Sequence, residues 1–217
     1  MMEYLCRLCA TPLTLTFCDL GDSPLANSFL DTVNPSTPEP RYPLHVRVCT
    51  NCFLVQLPEQ ATPQKIFSDY AYYSSFADGW VAHCRAFADT ATRRFGMTTQ
   101  HRVIEIASND GCMLGSFQSH GVQILGVEPA ANVAQIAIEK GIATRIGFFG
   151  SHMAAALTAE GIYADLLIAN NVLAHVPDLN DFVRGLSILL KPGGVLSIEF
   201  RSEEHTSELQ SRLHLVC

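Results

Sequence analysis

Apolar and polar positions change their period along the chain. In "YPLHVRVC", Leu44, Val46 and Val48 alternate with His45, Arg47 and Cys49. A period of two marks a half-buried strand. "FLVQL" follows at once, so the two runs predict a hairpin around a cysteine-bearing turn. "DTVNPSTPEP" ahead of them reads as a loop by its prolines and polar residues. Over residues 61–97 the period lengthens. Trp80, Cys84, Phe87, Ala91 and Phe95 recur every three or four residues, a helical stripe read as core packing, with Ser74 and Ser75 ahead of it as candidate N-caps. Beyond residue 100, "RVIEIAS", "ILGVEP", "ATRIG", "ADLLIANNVL" and "GVLSIEF" read as five strands separated by helical segments such as 132–140 and 181–190. Strands alternating with helices predict βαβ units and a parallel sheet.

The pattern therefore divides the chain into a cysteine- and proline-rich, strand-bearing region (1–60), a helical linker or lid (61–97) and an α/β region (98–200). After Phe200 the apolar period stops, and residues 201–217 are polar and charged with nothing linking them to what precedes.

Composition narrows the class. With 48% hydrophobic and 16% charged residues, the 217-residue chain can bury a sizeable core. A net charge of -7 without clustered Lys and Arg argues against nucleic acid as a partner. The N-terminus has no signal-peptide pattern and no apolar run is long enough for a bilayer, so the expectation is a soluble cytoplasmic chain with no membrane partner. In a reducing compartment, the 8 cysteines point to metal binding or burial rather than disulfides.

Four of them form two C-x2-C turns, Cys6-Arg7-Leu8-Cys9 and Cys49-Thr50-Asn51-Cys52. Each turn carries two sulfurs, and two turns supply the four thiolates of a closed tetrahedral zinc site. Such a site leaves no position for catalytic water, so its role is structural, a staple for a region with a thin core. Cys18, Cys84 and Cys112 are read as ordinary buried thiols.

The turn after the first α/β strand, "EIASNDGC", brings Ala107, Ser108, Asn109, Asp110 and Gly111 to the place where a nucleotide-binding unit cradles its ligand. Ala107 and Asn109 stand where a dinucleotide fingerprint has glycine, and an ordinary tight turn is the competing reading. The second strand ends in Glu128, about twenty residues on, where a carboxylate can accept both hydroxyls of a ribose; the competing reading is a solvated strand-end acid.

This combination resembles the class I S-adenosylmethionine (SAM)-dependent methyltransferases. More narrowly, "CRLC", "LGDSPLANSFL", "YPLHVRVCTNCFLVQL", "DYAYYSS", "EIASNDGCML", "GVEPAANVA", "NNVLAHVPDLNDFVRGL" and "LLKPGG", in that order, resemble the C-methyltransferases of nucleotide-linked deoxysugars. The resemblance implies a Rossmann-like parallel sheet, here of about five strands, behind a small zinc-binding β-rich domain. It places Glu105 at the acidic start of the first motif and Ser108, Asn109, Asp110 and Gly111 around the methionine end of SAM. Glu128 then holds the ribose, Pro129 flanks the adenine, Phe149 lies near it, and Asn170 and Asn171 face cofactor and sugar. Tyr70 and Tyr72, with Ser74, either close over the site as substrate contacts or form a packed aromatic linker. Asn170 and Asn171 have a plain alternative as amides capping a loop. His175 is read as structural ahead of catalytic, and Tyr72 and His175 are the two weak catalytic candidates.

In that family a keto group acidifies the neighbouring C–H, a base removes the proton, and the enolate attacks the sulfonium methyl. The resemblance puts the base in a Tyr-His-Glu-His segment after the fifth strand. Residues 201–217 do not carry it, and the neighbours of His205 do not match. Codon by codon, "RSEEHTSELQS" back-translates to the start of a widely used sequencing-library adapter. The expectation is therefore a non-native tail after Phe200, an exposed apolar edge on the fifth strand, and a chain without turnover. The alternatives are an O- or N-methyltransferase of another small metabolite, or a zinc- and SAM-binding module without catalysis.

Overall fold

The computed structural model describes residues 4–25, 39–67, 70–200 and, by backbone alone, 215–216. The expectation of a non-native tail falls outside these residues, the last pair apart. The chain divides into two compact units, Met1–Ala71 with Pro177–Asn180, and Tyr72–Val176 with Asp181–Cys217.

The first unit holds an antiparallel sheet of β1 (Leu15–Pro24), β2 (Arg41–Val48) and β3 (Val55–Gln56), in that order, and a short helix α1 (Pro63–Phe67). The hairpin around Cys49–Cys52 is present, with Arg47 opposite Gln56 and Val48 opposite Val55. β1 has no counterpart in the sequence reading. Its pairing with β2 is interrupted by two register shifts, and Leu15, Phe17 and Leu20 are all exposed, so no clean alternation announces it. Among the described residues, the buried cluster here is Cys6, Leu13 and Cys49, with Tyr4, Cys9, Cys52 and Leu54 packed around them, so cysteines supply most of it.

In the second unit, α2 (Asp78–Arg94) precedes β4 (Arg102–Ile106), α3 (Cys112–Gln118), β5 (Gln123–Glu128), α4 (Ala131–Glu139) and β6 (Thr144–Ile146). Next come α5 (Ser151–Ala159), β7 (Ala164–Asn170), α6 (Leu179–Leu189), β8 (Leu190–Glu199) and β9 (Leu215–Val216). The sheet order is β6-β5-β4-β7-β8-β9. The first five strands are parallel, and β9 pairs antiparallel with β8, placing two residues on the edge the sequence reading left open. Consecutive residues of the central strands serve opposite faces. Val103, Leu166 and Ile168 join α2 and α3 in one cluster, and Ile104, Leu167 and Ala169 join α5 and α6 in the other. The stripe Cys84, Phe87, Ala91 and Phe95 packs into the first cluster, as its period predicts.

Two local features depart from the sequence reading. β8 begins at Leu190, ahead of the expected strand "GVLSIEF", and takes in Pro192-Gly193-Gly194 as an irregularity: Ala164 pairs with Leu190 and pairing resumes at Leu166 and Val195. Ser74 and Ser75 are not caps of the long helix. They open a 3-10 turn (Ser74–Phe76), and α2 begins at Asp78, with Ala77 as an N-cap that makes no side-chain bond. No helix among the described residues is long and apolar enough to cross a membrane.

The chain runs outward from β4 to β6 and then returns to the far side of β4 as β7. The strand order therefore reverses between β4 and β7. In open parallel sheets, ligands bind beyond the carboxyl ends of the strands at such a switch point.

Candidate functional site

The two cysteine turns of the first unit repeat one backbone geometry. The amides of Ala10 and Phe53 donate to the carbonyls of Cys6 and Cys49 at 2.9 and 3.0 Å, and the amides of Cys6 and Cys49 donate to those of Thr11 and Leu54 at 2.9 and 3.0 Å. Ala10 (φ 56°) and Phe53 (φ 63°) take the left-handed conformation that closes each turn. The Sγ atoms of Cys6 and Cys52, and of Cys9 and Cys49, are 3.5 Å apart, and all four lie within 4.8 Å of one another. Zinc–sulfur bonds of about 2.3 Å give a tetrahedron with edges of about 3.8 Å, so the four sulfurs fit such an ion.

Gln56, which sequence reasoning did not single out, is buried beside this cluster. Its Nε2 donates to Cys6 Sγ at 3.2 Å and its Oε1 accepts the Arg7 amide at 2.9 Å. A partner of this kind orients a thiolate and tempers its charge. The hydroxyl of Thr11, ahead of weaker partners, holds the Cys9 thiol down to about 5. For Cys52 the Leu54 amide pulls downward, but burial and the three facing sulfurs outweigh it and carry the thiol up to about 12. Four converging thiols cannot all ionise without a cation among them.

In the second unit the loop after β4 alternates its backbone. Ala107 (φ 56°), Asn109 (φ 50°) and Gly111 (φ 76°) are left-handed, the residues between them are not. Ala107 and Asn109 thus adopt what their glycine-like positions demand, at a cost for alanine of about 1–2 kcal/mol. Gly111 is required on a second count, since a Cβ there would run into Ile142. The amides of Ala107 and Ser108 both donate to the Val127 carbonyl, at 2.8 and 3.3 Å, which ties the loop to β5.

Glu105, Ser108, Asn109, Asp110 and Glu128 are all buried at the carboxyl ends of β4 and β5. Glu128 accepts the Asn109 amide at 2.8 Å and the Ala130 amide at 2.9 Å. Burial pushes its carboxyl above the ordinary value against the pull of these two amides. Glu105 is pushed well above it, first by burial and then by Cys112, Glu128 and Asp110. Among the described residues, Glu105 Oε2, Ser108 Oγ and Asp110 Oδ1 are buried without a hydrogen-bond partner. Orphaned polar atoms around a left-handed loop are what a polar ligand satisfies, so these residues fit SAM.

The segment ahead of α2 is bonded to the same loop. The Ser74 amide donates to Asn109 Oδ1 at 2.9 Å, and Asn109 Nδ2 returns a bond to the Tyr72 carbonyl at 3.0 Å. The Ser75 amide, at 3.3 Å, and its hydroxyl both donate to Asp110 Oδ2. Tyr72 is 47% exposed. Tyr70 belongs to the first unit, its ring 6.0 Å from that of Phe67.

Of the remaining candidates, Pro129 is half-buried next to Glu128. The Phe149 ring stands edge-on to Phe182 at 5.5 Å and packs on the α5/α6 cluster. Asn170 ends β7, half-buried, and exposed Asn171 (φ 54°) donates its amide to the Glu199 carbonyl at 2.6 Å. His175 is exposed at the end of a 3-10 turn (Leu173–His175). Two further features escaped the sequence reading. Lys140 reaches Asp110 Oδ2 at 3.0 Å, and His83 Nε2 on α2 lies 3.9 Å from Glu199 Oε2 at the end of β8. Both pairs join residues far apart in the chain, where spacing carries no signal.

Comparison with known proteins covers both units. A family model described as "Putative zinc binding domain" matches residues 6–67, and one described as "Methyltransferase domain" matches residues 78–214. The C-methyltransferase NovU of Streptomyces niveus is 31% identical over 194 residues, covering 89% of this chain and 46% of that protein. A ubiquinone biosynthesis O-methyltransferase of Bradyrhizobium is 27% identical over 127 residues, covering 54% of this chain and 46% of that one. The chain thus spans about half the length of these curated relatives. Among solved structures, a protein from Pyrococcus horikoshii OT3 superposes with a TM-score of 0.50 at 16% identity, covering 61% of this chain and 59% of its own, a likeness of fold. The chain belongs to the SAM-dependent methyltransferases, with a four-cysteine domain of the zinc-binding type ahead of a class I methyltransferase domain.

Proposed function

We propose that the chain carries the zinc-binding and SAM-binding parts of a C-methyltransferase that acts on a nucleotide-linked keto-deoxysugar. The observation that supports this reading above others is the similarity to NovU, which runs through both units. Cys6, Cys9, Cys49 and Cys52 hold a structural zinc ion. SAM, when bound, supplies an electrophilic methyl group. Ser108 and the loop around it receive its methionine end, Glu128 its ribose, and Pro129 and Phe149 its adenine. Glu105, buried and held toward its neutral form, supplies a proton or a carboxylate oxygen to the ligand's polar end. Asn170 and Asn171, at the carboxyl end of the neighbouring strand, face cofactor and sugar, and Tyr72 and Ser74, bonded to Asn109, contact the substrate.

The carbon to be methylated needs a base. The resemblance puts that base beyond the fifth strand, and neither Tyr72 nor His175 is assigned the role. A labelled methyl assay with keto-deoxysugar nucleotides tests the reading, run on the full reading frame recovered from source DNA. The reading requires a new C–CH3 signal. An O–CH3 or N–CH3 product would favour the small-metabolite alternative, which the similarity to the O-methyltransferase keeps in play. Absence of any methylated product would overturn the reading.

A further inference from the structure

We propose that Lys140 is a positioning residue for the cofactor loop, acting through Asp110 to hold the segment Tyr72–Phe76 on that loop and so to set the affinity for the amino-acid end of the cofactor. The inference rests on the reading that the loop at 107–111 receives that end.

The carboxyl of Asp110 is completely buried, a costly place for a charge unless it is paired. Lys140 caps the C-terminus of α4, where a cation is favoured by the helix dipole. From there its Nζ reaches Asp110 Oδ2 at 3.0 Å, the Asp110 carbonyl at 3.3 Å and Ser75 Oγ at 3.4 Å. The same Oδ2 takes the amide and hydroxyl of Ser75. One carboxylate oxygen thus joins three stretches of chain: the end of α4, the cofactor loop and the lead-in to α2. Asn109 adds the second tie, with its Oδ1 and Nδ2 both engaged by Ser74 and Tyr72.

Two consequences separate this role from plain structural support. The polar ends of Asn109 and the Oδ2 of Asp110 are committed to protein, so they shape the loop instead of contacting cofactor. Glu128, the last residue of β5, meets the loop through the Asn109 backbone amide and not through Lys140, Ser74 or Ser75, so loss of the clasp falls on the loop's end of the ligand. Lys140 itself is half-exposed, its side chain 42% accessible, so its replacement leaves the core intact.

The test uses the full chain with Lys140→Ala and Lys140→Arg, titrated by calorimetry with S-adenosylhomocysteine and with adenosine, alongside amide exchange over residues 72–77. Lys140→Ala is expected to weaken S-adenosylhomocysteine about tenfold, the size of one lost charge-assisted bond, to leave adenosine unchanged, and to speed exchange at Ser74 and Ser75. Lys140→Arg restores both. If wild type binds normally and Lys140→Ala changes neither the affinity ratio nor the exchange, the positioning role is wrong while the cofactor reading stands. A wild-type chain that binds neither ligand overturns the cofactor reading and this role with it.

Discussion

The backbone amide of Asn109 donates to Oε2 of Glu128 at 2.8 Å, linking the loop after β4 to the last residue of β5. The other carboxylate oxygen takes the Ala130 amide at the start of α4. Glu128 is therefore as much a support of the site as a candidate ribose ligand. Replacing it by alanine orphans two buried amides, at about 1–3 kcal/mol each. Glu128→Ala is expected to lose about 2 kcal/mol of stability in denaturant melts and to weaken S-adenosylhomocysteine about 10–100-fold. Glu128→Gln keeps one good acceptor and falls between. Unchanged affinity in Glu128→Ala would remove this residue from the binding site.

The sulfur cluster makes a compositional prediction. Purified chain should contain about one zinc ion, and Cys49→Ser about none, by elemental mass spectrometry. Thiolates, not thiols, bind the metal, so affinity rises with pH and zinc is released in acid. With the metal chelated, amide exchange should accelerate across β2 and β3, because among the described residues the buried cluster of this unit is built on these cysteines. Persistence of protection there after complete metal removal would show that the ion is dispensable for the fold.

Glu105 carries the pH dependence. Burial first, then Cys112, Glu128 and Asp110, hold its carboxyl well above the ordinary value of 4.5. The unfolded chain therefore releases this proton more readily than the folded one. Stability is unaffected below about pH 4.5 and falls as pH rises from there toward the folded value. Glu105→Gln removes that dependence. It should leave stability unchanged near pH 4 and raise it at pH 7, read from denaturant midpoints of the ligand-free chain at both pH values.

What the sequence made legible was local. Cys6/Cys9 and Cys49/Cys52 announce themselves by spacing, and the five parallel strands by their apolar runs. Lost to it were features whose reason lies elsewhere in the chain. β1 exposes Leu15, Phe17 and Leu20 and is defined only by its pairing with β2. Ser74 and Ser75 have the look of helix caps, yet their bonds go to Asn109 and Asp110, 35 residues away. Lys140 sits correctly in its helical segment, but its partner is 30 residues upstream. Gln56 occupies a polar slot of a strand and turns inward to a thiol. Local periodicity carries the fold, while side-chain pairing across the sheet carries much of the site.

Ala107 tests the loop itself. Its φ of 56° places an alanine Cβ in the left-handed region, where glycine carries no steric penalty. The strain, about 1–2 kcal/mol, exceeds the entropy that a glycine adds to the unfolded chain. Ala107→Gly should therefore stabilise by up to about 1 kcal/mol and leave S-adenosylhomocysteine affinity within about twofold, because the backbone path is already the one glycine would take. Ala107→Val meets the opposite fate. A β-branched side chain is a genuine outlier at positive φ, and the variant should lose about 2–3 kcal/mol together with cofactor affinity as the loop shifts off Val127. Thermal melts and calorimetry on the pair decide it: a Gly variant less stable than wild type would mean that the loop is not held left-handed at this position in solution.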